Sequence, residues 1–227
     1  TETMVIDTVA PAVNATSGTV SASYAVNYSD MTSDGLVDVG GTGEAGARIR
    51  VELGNGTFRE TTVAGDGSWG VQFTQAEMGG LSSVNGYDVP VTITAWDSFN
   101  NASQPIRDTI HVDTLAEVGI ASKLDGDSDH VANRSESGNG TNNLVLTGTS
   151  EPGTVAVDVT MNGFTRSASV DPVTGNWSVS FEPGTYSTGT NTYQASAGAT
   201  DFAGNTSPAA QMNVRVVTEV TDLTTSN

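Results

Sequence analysis

The chain has 227 residues, enough for one large domain or two of about 100 residues each. Its 8 lysines and arginines stand against 26 aspartates and glutamates, a formal net charge of −18. That balance excludes general nucleic-acid binding and attachment to an anionic membrane surface, both of which need a basic footprint. There is no cysteine, so disulfides and thiolate metal sites are excluded, and no apolar run approaches the ~18 residues of a membrane helix.

Taken in chain order, Thr1-Glu2-Thr3-Met4-Val5 shows neither the basic nor the apolar region of an export leader, and the chain is expected to be a soluble piece of a longer one. Ile49, Val51 and Leu53 alternate with polar residues up to Asn55-Gly56, which predicts a strand and a hairpin turn. Trp69, Val71 and Phe73 share one face of the next strand, and Thr74–Leu81 holds at most one helical turn. Val91, Ile93 and Ala95, then Ile110 with Val112, complete the first half. In the second half Val155, Val157, Val159 and Met161 alternate before Asn162-Gly163, and Trp177, Val179 and Phe181 share a face.

The two halves repeat one another. Gly41-Thr42-Gly43-Glu44-Ala45-Gly46 returns as Gly148-Thr149-Ser150-Glu151-Pro152-Gly153, and Asp66-Gly67-Ser68-Trp69 as Thr174-Gly175-Asn176-Trp177. Ala95-Trp96-Asp97-Ser98-Phe99-Asn100-Asn101 returns as Ala199-Thr200-Asp201-Phe202-Ala203-Gly204-Asn205, and Ile6-Asp7-Thr8 as Val112-Asp113-Thr114. The pairs Asp7/Asp113, Glu44/Glu151, Trp69/Trp177 and Asp97/Asp201 lie 106, 107, 108 and 104 residues apart. Constant order and spacing mark internal duplication. About seven short strands in each half predict an all-β protein of two tandem immunoglobulin-like Greek-key β-sandwich domains, 1–112 and 113–227.

In such a sandwich the start of the first strand, the B–C loop and the F–G loop share one end. Asp7, Glu44, Asp97 and Asn101 therefore converge in the first repeat, and Asp113, Glu151, Asp201 and Asn205 in the second, with Asp113 also the linker. Three carboxylates and an amide on loops suit calcium, which takes six to eight oxygen ligands. Each Asp or Asn also suits an ordinary Asx-turn, but the recurrence of the set points to metal. A second acidic run, Asp125, Asp127 and Asp129 with Asn133 and Glu136, has carboxylates at positions 1, 3, 5 and 12 of an EF-hand loop. His130 stands where that loop requires glycine, which leaves a looser calcium loop or a solvated acidic loop. Asp30, Asp34 and Asp38 are a thin counterpart in the first repeat.

These residues resemble the bacterial immunoglobulin-like repeats of giant biofilm-associated and RTX-type adhesins. The family pattern is Val-Asp-Thr, Gly-Thr-x-Glu-x-Gly, Gly-x-Trp and Ala-x-Asp-x-x-Gly-Asn. It is met by Val112-Asp113-Thr114, Gly148 to Gly153, Gly175 to Trp177 and Ala199 to Asn205. The first repeat departs at Ile6 and at Asn100. The resemblance implies calcium-rigidified spacer repeats of a secreted, cell-surface adhesin, monomeric, partnered by calcium ions and neighbouring repeats, and exported by a type I system. One interval breaks the pattern, because an aspartate equivalent to Asp113 would fall at Val217.

Catalysis is not expected, since the chain has two histidines, His111 and His130, and no nucleophile elbow or phosphate loop. The rival function is a carbohydrate- or protein-binding module. Trp69 and Trp177 read as core, whereas Trp96 has Thr200 as its counterpart and is the best candidate for a contact made by one repeat alone.

Overall fold

The computed structural model describes residues 6–81, 86–124, 131–138 and 140–218. They fold into two compact units, Thr1–Leu115 and Ala116–Asn227. The period-two alternation read above becomes strand after strand with one face buried and one exposed.

The first unit contains β1 (Val13–Ser17), β2 (Ala25–Val26), β3 (Leu36–Gly43), β4 (Arg48–Leu53), β5 (Phe58–Thr62), β6 (Ser68–Thr74), β7 (Tyr87–Trp96) and β8 (Ile106–Val112). One sheet runs β1-β3-β6 and the other β2-β8-β7-β4-β5. The pairings are antiparallel except β2 with β8. Between the sheets Phe73, Ile49, Val51, Ile93 and Ile110 are fully buried. Each large aliphatic or aromatic side chain so placed contributes about 1.5–3 kcal/mol. The second unit contains β9 (Val118–Leu124), β10 (Val131–Ala132), β11 (Leu144–Ser150), β12 (Ala156–Met161), β13 (Phe164–Ser167), β14 (Ser169–Val170), β15 (Asn176–Phe181), β16 (Thr190–Thr200) and β17 (Ala210–Val217). Its sheets run β14-β15-β11-β9 and β10-β17-β16-β12-β13, closed over Leu144, Leu146, Val157, Val159, Met161 and Phe181.

The repeated glycines have a packing cause. A Cβ on Gly41 would lie 1.9 Å from the Asn14 carbonyl oxygen and 2.8 Å from the Trp69 ring. On Gly148 it would lie 2.1 Å from the Gly119 oxygen and 2.2 Å from the Trp177 ring. The Gly-Thr and Gly-x-Trp motifs are thus two halves of one contact, with the indole lying against bare backbone. Arg59, on β5, donates to Glu77 at 2.7 and 2.9 Å and covers the Phe73 ring, spanning the open edge of the sandwich. Arg166 and Glu182 make the same bridge in the second unit.

Several expectations need correction. Asp7 and Asp113 do not begin strands; β1 starts at Val13 and β9 at Val118, each preceded by an irregular lead-in. Val155 is 61% exposed because β12 begins one residue later. The expected single helical turn is α2 (Gln75–Met78), fixed by a capping box between Thr74 and Glu77. A helix that the apolar pattern did not reveal, α1 (Tyr28–Thr32), is held by the same device between Asn27 and Asp30. The two Asn-Gly turns also differ: Asn162 and Gly163 both have positive φ, whereas Asn55 does not and only Gly56 does. The first hairpin is three residues longer between its pairing strands than a tight Asn-Gly loop allows, so only its glycine enters the left-handed region.

Candidate metal centre

The loop after the long F-type strand is built alike in both units. Asp97 Oδ1 accepts from the N–H groups of Phe99 and Asn101, both at 2.8 Å, and Oδ2 from the Asn101 amide at 2.6 Å. Asp201 accepts from the Asn205 N–H at 2.8 Å and the Asn205 amide at 2.7 Å. Asn100 (φ 65°) and Gly204 (φ 90°) turn the chain within the loop, which is why Asn and Gly alternate at that position. Two residues after the Asn, Ser103 Oγ accepts from Ala95 N–H at 3.0 Å and Ser207 Oγ from Ala199 N–H at 2.9 Å. These serines were not singled out as functional by the sequence, and their role is to close the loop. For Asp97, burial pushes the carboxyl upward, but the Asn101 amide and the N–H groups of Asn101 and Phe99 outweigh it and hold the pKa below the ordinary value.

The linker aspartates also repeat. Asp7 Oδ1 accepts from Val9 N–H at 3.0 Å, and Asp113 Oδ1 from Leu115 N–H at 3.3 Å. In the first unit the Asn101 amide donates to the Asp7 carbonyl at 3.1 Å, which ties the lead-in to the loop.

The two apices diverge at the glutamate. In the second, Asp113, Glu151 and Asp201 each offer a carboxylate oxygen, and the three oxygens lie within 4.8 Å of one another. Glu151 is 6% exposed, Asp201 3% and Asn205 6%. Oxygens bound to one calcium at 2.3–2.6 Å can be at most about 5 Å apart, so the spread fits a shared ion. Like charges so close oppose each other by about 3 kcal/mol per pair at an effective dielectric near 20, and a divalent ion at their centre offsets that cost. In the first apex Asp7, Asp97 and Asn101 stand together, but Glu44 is exposed, and the three carboxylates are not gathered within that distance.

Of the second acidic run, Asp125, Asp127 and Asp129 lie outside the described residues. Asn133 and Glu136 form a local turn in which Glu136 Oε2 accepts from Asn133 N–H at 2.8 Å. Asp30 caps α1, and Asp34 Oδ1 accepts from Leu36 N–H at 3.0 Å. No helix among the described residues is long and apolar enough to cross a membrane.

No protein-family model matches the chain, and no curated protein matches it in sequence. Solved structures do. A 1.5-MDa bacterial ice-binding adhesin, studied for its retention at the host cell surface, is 18% identical, with 94% of this chain and 66% of that one covered at a TM-score of 0.52. A Ca2+-stabilized adhesin with which an Antarctic bacterium reaches out and binds ice is 24% identical, with coverage of 93% and 49% and a TM-score of 0.46. A tetra-tandem repeat in the extending region of a large adhesion protein is 18% identical, with coverage of 81% and 46% and a TM-score of 0.36. The chain thus spans 66% or less of each of these chains. All three come from large adhesins, and with the first of them the chain shares its fold.

Proposed function

We propose that the chain is a pair of calcium-rigidified spacer repeats, 1–112 and 113–227, in a secreted bacterial cell-surface adhesin, with no catalytic role. The observation that carries this reading is the trio of half-buried Asp113 and buried Glu151 and Asp201. Drawn at 113, the second repeat contains the whole set, and its first residue is the linker aspartate. Calcium held there would fix the linker against the loops of the repeat it introduces and so stiffen the chain. The residues assigned to metal are Asp7, Glu44, Asp97 and Asn101 in the first repeat and Asp113, Glu151, Asp201 and Asn205 in the second. Glu44 would have to turn inward to join the first set. The fold shared with the ice-binding adhesin supports an extracellular, non-catalytic setting, and the net charge of −18 suits a chain that works where calcium is plentiful.

Isothermal titration with calcium chloride, followed by small-angle scattering with calcium or a chelator, tests the reading. The expected result is saturable binding and a narrower distribution of maximum dimensions in calcium. Absence of calcium heat, or scattering curves that superimpose in both conditions, overturns it.

A further inference from the structure

One edge of the β1-β3-β6 sheet is an open strand. β6 reads Ser68-Trp69-Gly70-Val71-Gln72-Phe73-Thr74, without charge or proline, and among the described strands it pairs with β3 alone. Sheet edges of monomeric proteins are guarded by shortness, charge, proline or a bulge, because their free N–H and C=O groups otherwise recruit another strand. Every other edge strand among the described residues has such a guard. β2, β10 and β14 are two residues long, and β1 and β9 join their neighbours through a register shift. β5 carries Arg59 and Glu60, and β13 carries Arg166. β6 has none of these devices.

The ladder itself assigns the free groups. Gly43 N–H donates to the Gly67 carbonyl at 2.9 Å and Gln75 N–H to the Gly35 carbonyl at 3.0 Å, at either end of the β3-β6 register. Hydrogen-bonded pairs alternate along an antiparallel ladder, so Trp69, Val71 and Phe73 bond to β3, whereas Ser68, Gly70, Gln72 and Thr74 direct their backbone groups away from it. Ser68 is occupied, since its N–H donates to Asp66 Oδ1 at 3.0 Å and its carbonyl accepts from Ala64 N–H at 2.8 Å. Thr74 N–H donates to Glu77 Oε2 at 2.8 Å. The N–H and C=O groups of Gly70 and Gln72 have no partner among the described residues. In the second unit Ser178 stands where Gly70 stands, and there β14 lies alongside, with Ser169 opposite Ser178 and Val170 opposite Trp177. This edge of the sandwich thus accepts an antiparallel strand. The first unit supplies none, because Thr61 and Thr62, the equivalents of β14, pair with Ile49 and Arg48 of β4. A groove of about 550 Å³ lies beside β6, lined by Gly40, Arg59, Thr61, Gly70 and Gln72 among others.

We propose that β6 docks against β6 of a second copy of this chain, in an antiparallel pair related by a two-fold axis at Val71. In that register Gly70 of each copy faces Gln72 of the other, and the N–H and C=O groups of each satisfy those of its partner, so every free group is used. Charge selects this occupant. Copies that each carry a net charge of −18 pair closely only where both surfaces are uncharged and regular. Among the described edge strands longer than two residues, β6 alone is both. Asp38, opposite Gln72 on β3, would stand three strand spacings, about 14 Å, from its counterpart, beyond the ~8 Å over which charges act at physiological salt. Gly70 has no side chain to obstruct the approach. A strand pair of this length buries less than a standard interface, so a dissociation constant of about 0.1–1 mM is expected. The contact sets neighbouring chains side by side, and it rests on strand register, independent of the calcium centre.

The test is sedimentation equilibrium of the whole chain in EDTA, from about 20 μM to 2 mM, with amide hydrogen exchange read by NMR at both ends of that range. EDTA removes metal bridging between acidic surfaces. A monomer–dimer equilibrium is expected, with the Gly70 and Gln72 amides exchanging more slowly at the higher concentration. Gln72→Pro deletes one outward N–H and leaves the β3 ladder intact, and it is expected to weaken the dimer about tenfold or more. Gly70→Glu places like charges beside the two-fold axis and is expected to weaken it similarly. A Cβ at Gly70 meets only the Val39 oxygen at 3.9 Å, so Gly70→Glu should stay folded and decides the matter if the proline variant does not. Gly70→Ala, which adds no charge, should dimerise as the wild type does. A chain that stays monomeric throughout overturns the proposal. So does a dimer in which the Gly70 and Gln72 amides exchange as in the monomer, or wild-type dimerisation of Gly70→Glu or of a folded Gln72→Pro.

Discussion

Replacing Glu151 with glutamine separates the cost of the acidic trio from its use. The substitution keeps the shape of the side chain and removes one charge from two like-charge pairs, with Asp113 and Asp201. At the 4.8 Å limit and an effective dielectric near 20, each pair opposes folding by about 3 kcal/mol. Screening by solvent and salt reduces that sum, and a net gain of about 1–3 kcal/mol is expected for Glu151→Gln in chelator. For a unit of this size this corresponds to a Tm rise of about 4–12 °C. In calcium the gap should shrink. The wild type gains about 2.7 kcal/mol at calcium one hundredfold above Kd, whereas the glutamine variant, with a neutral ligand, binds more weakly and gains less. Differential scanning calorimetry of both proteins in EDTA and in millimolar calcium measures all four values. A variant that melts at or below the wild type in EDTA, yet shows the same calcium shift, would refute both the repulsion and the shared ion.

The remaining predictions concern the scaffold. Gly148→Ala should unfold or strongly destabilise the second unit, by about 3 kcal/mol or more, because the new methyl meets backbone and indole at 2.1–2.2 Å. Gly153→Ala, at φ 87° in open space, should cost only about 1–2 kcal/mol, so equal losses in urea unfolding would contradict the packing account. Asp97→Asn should destabilise the first unit at neutral pH. The Asp97 pKa is lower in the folded state than the ordinary 3.8, so its contribution is present above that value and is lost as pH falls through the depressed folded value. The wild type and Asp97→Asn should therefore converge in Tm as the pH falls through that depressed value, and a gap that persists in fully protonating acid would show that charge is not the cause.

How much of this was legible in the sequence depends on which physical period carried the information. The strands and core residues were readable because Ile49-Val51-Leu53 and Trp177-Val179-Phe181 alternate with period two and are buried as that period demands. The short helix α1 was not readable, because capping by Asn27 and Asp30 holds it and its buried apolar residue is Met31 alone. The stacking of Arg48 on Trp96 and of Arg50 on Phe58 was hidden for a different reason. Arg48, Arg50, Phe58 and Trp96 are scattered over three strands and become neighbours only through strand registry, although Trp96 stood out by having no aromatic counterpart.

The metal centre gives the sharper lesson, because recurrence supported it for a reason that does not require metal. Asp97 and Asp201 recur because each accepts the backbone and amide N–H groups of the Asn four residues on, and Asn100 and Gly204 recur because the same loop needs a left-handed residue. Those hydrogen bonds explain the loop motif in both units without any ion. The glutamate is different. Glu44 and Glu151 occupy equivalent places in the repeat, yet Glu44 is exposed and Glu151 is 6% exposed among two further carboxylates. A third negative charge buried beside two others is costly to desolvate, and a cation shared by the three would offset that cost. Glu151 therefore favours calcium more than the repeated aspartates do, and on this ground the second apex is expected to bind calcium more tightly than the first. Titration of Glu151→Gln and Glu44→Gln side by side should remove the tighter binding event in the former and at most a weaker one in the latter; the opposite pattern would place the stronger site at the first apex and break the link between burial and affinity.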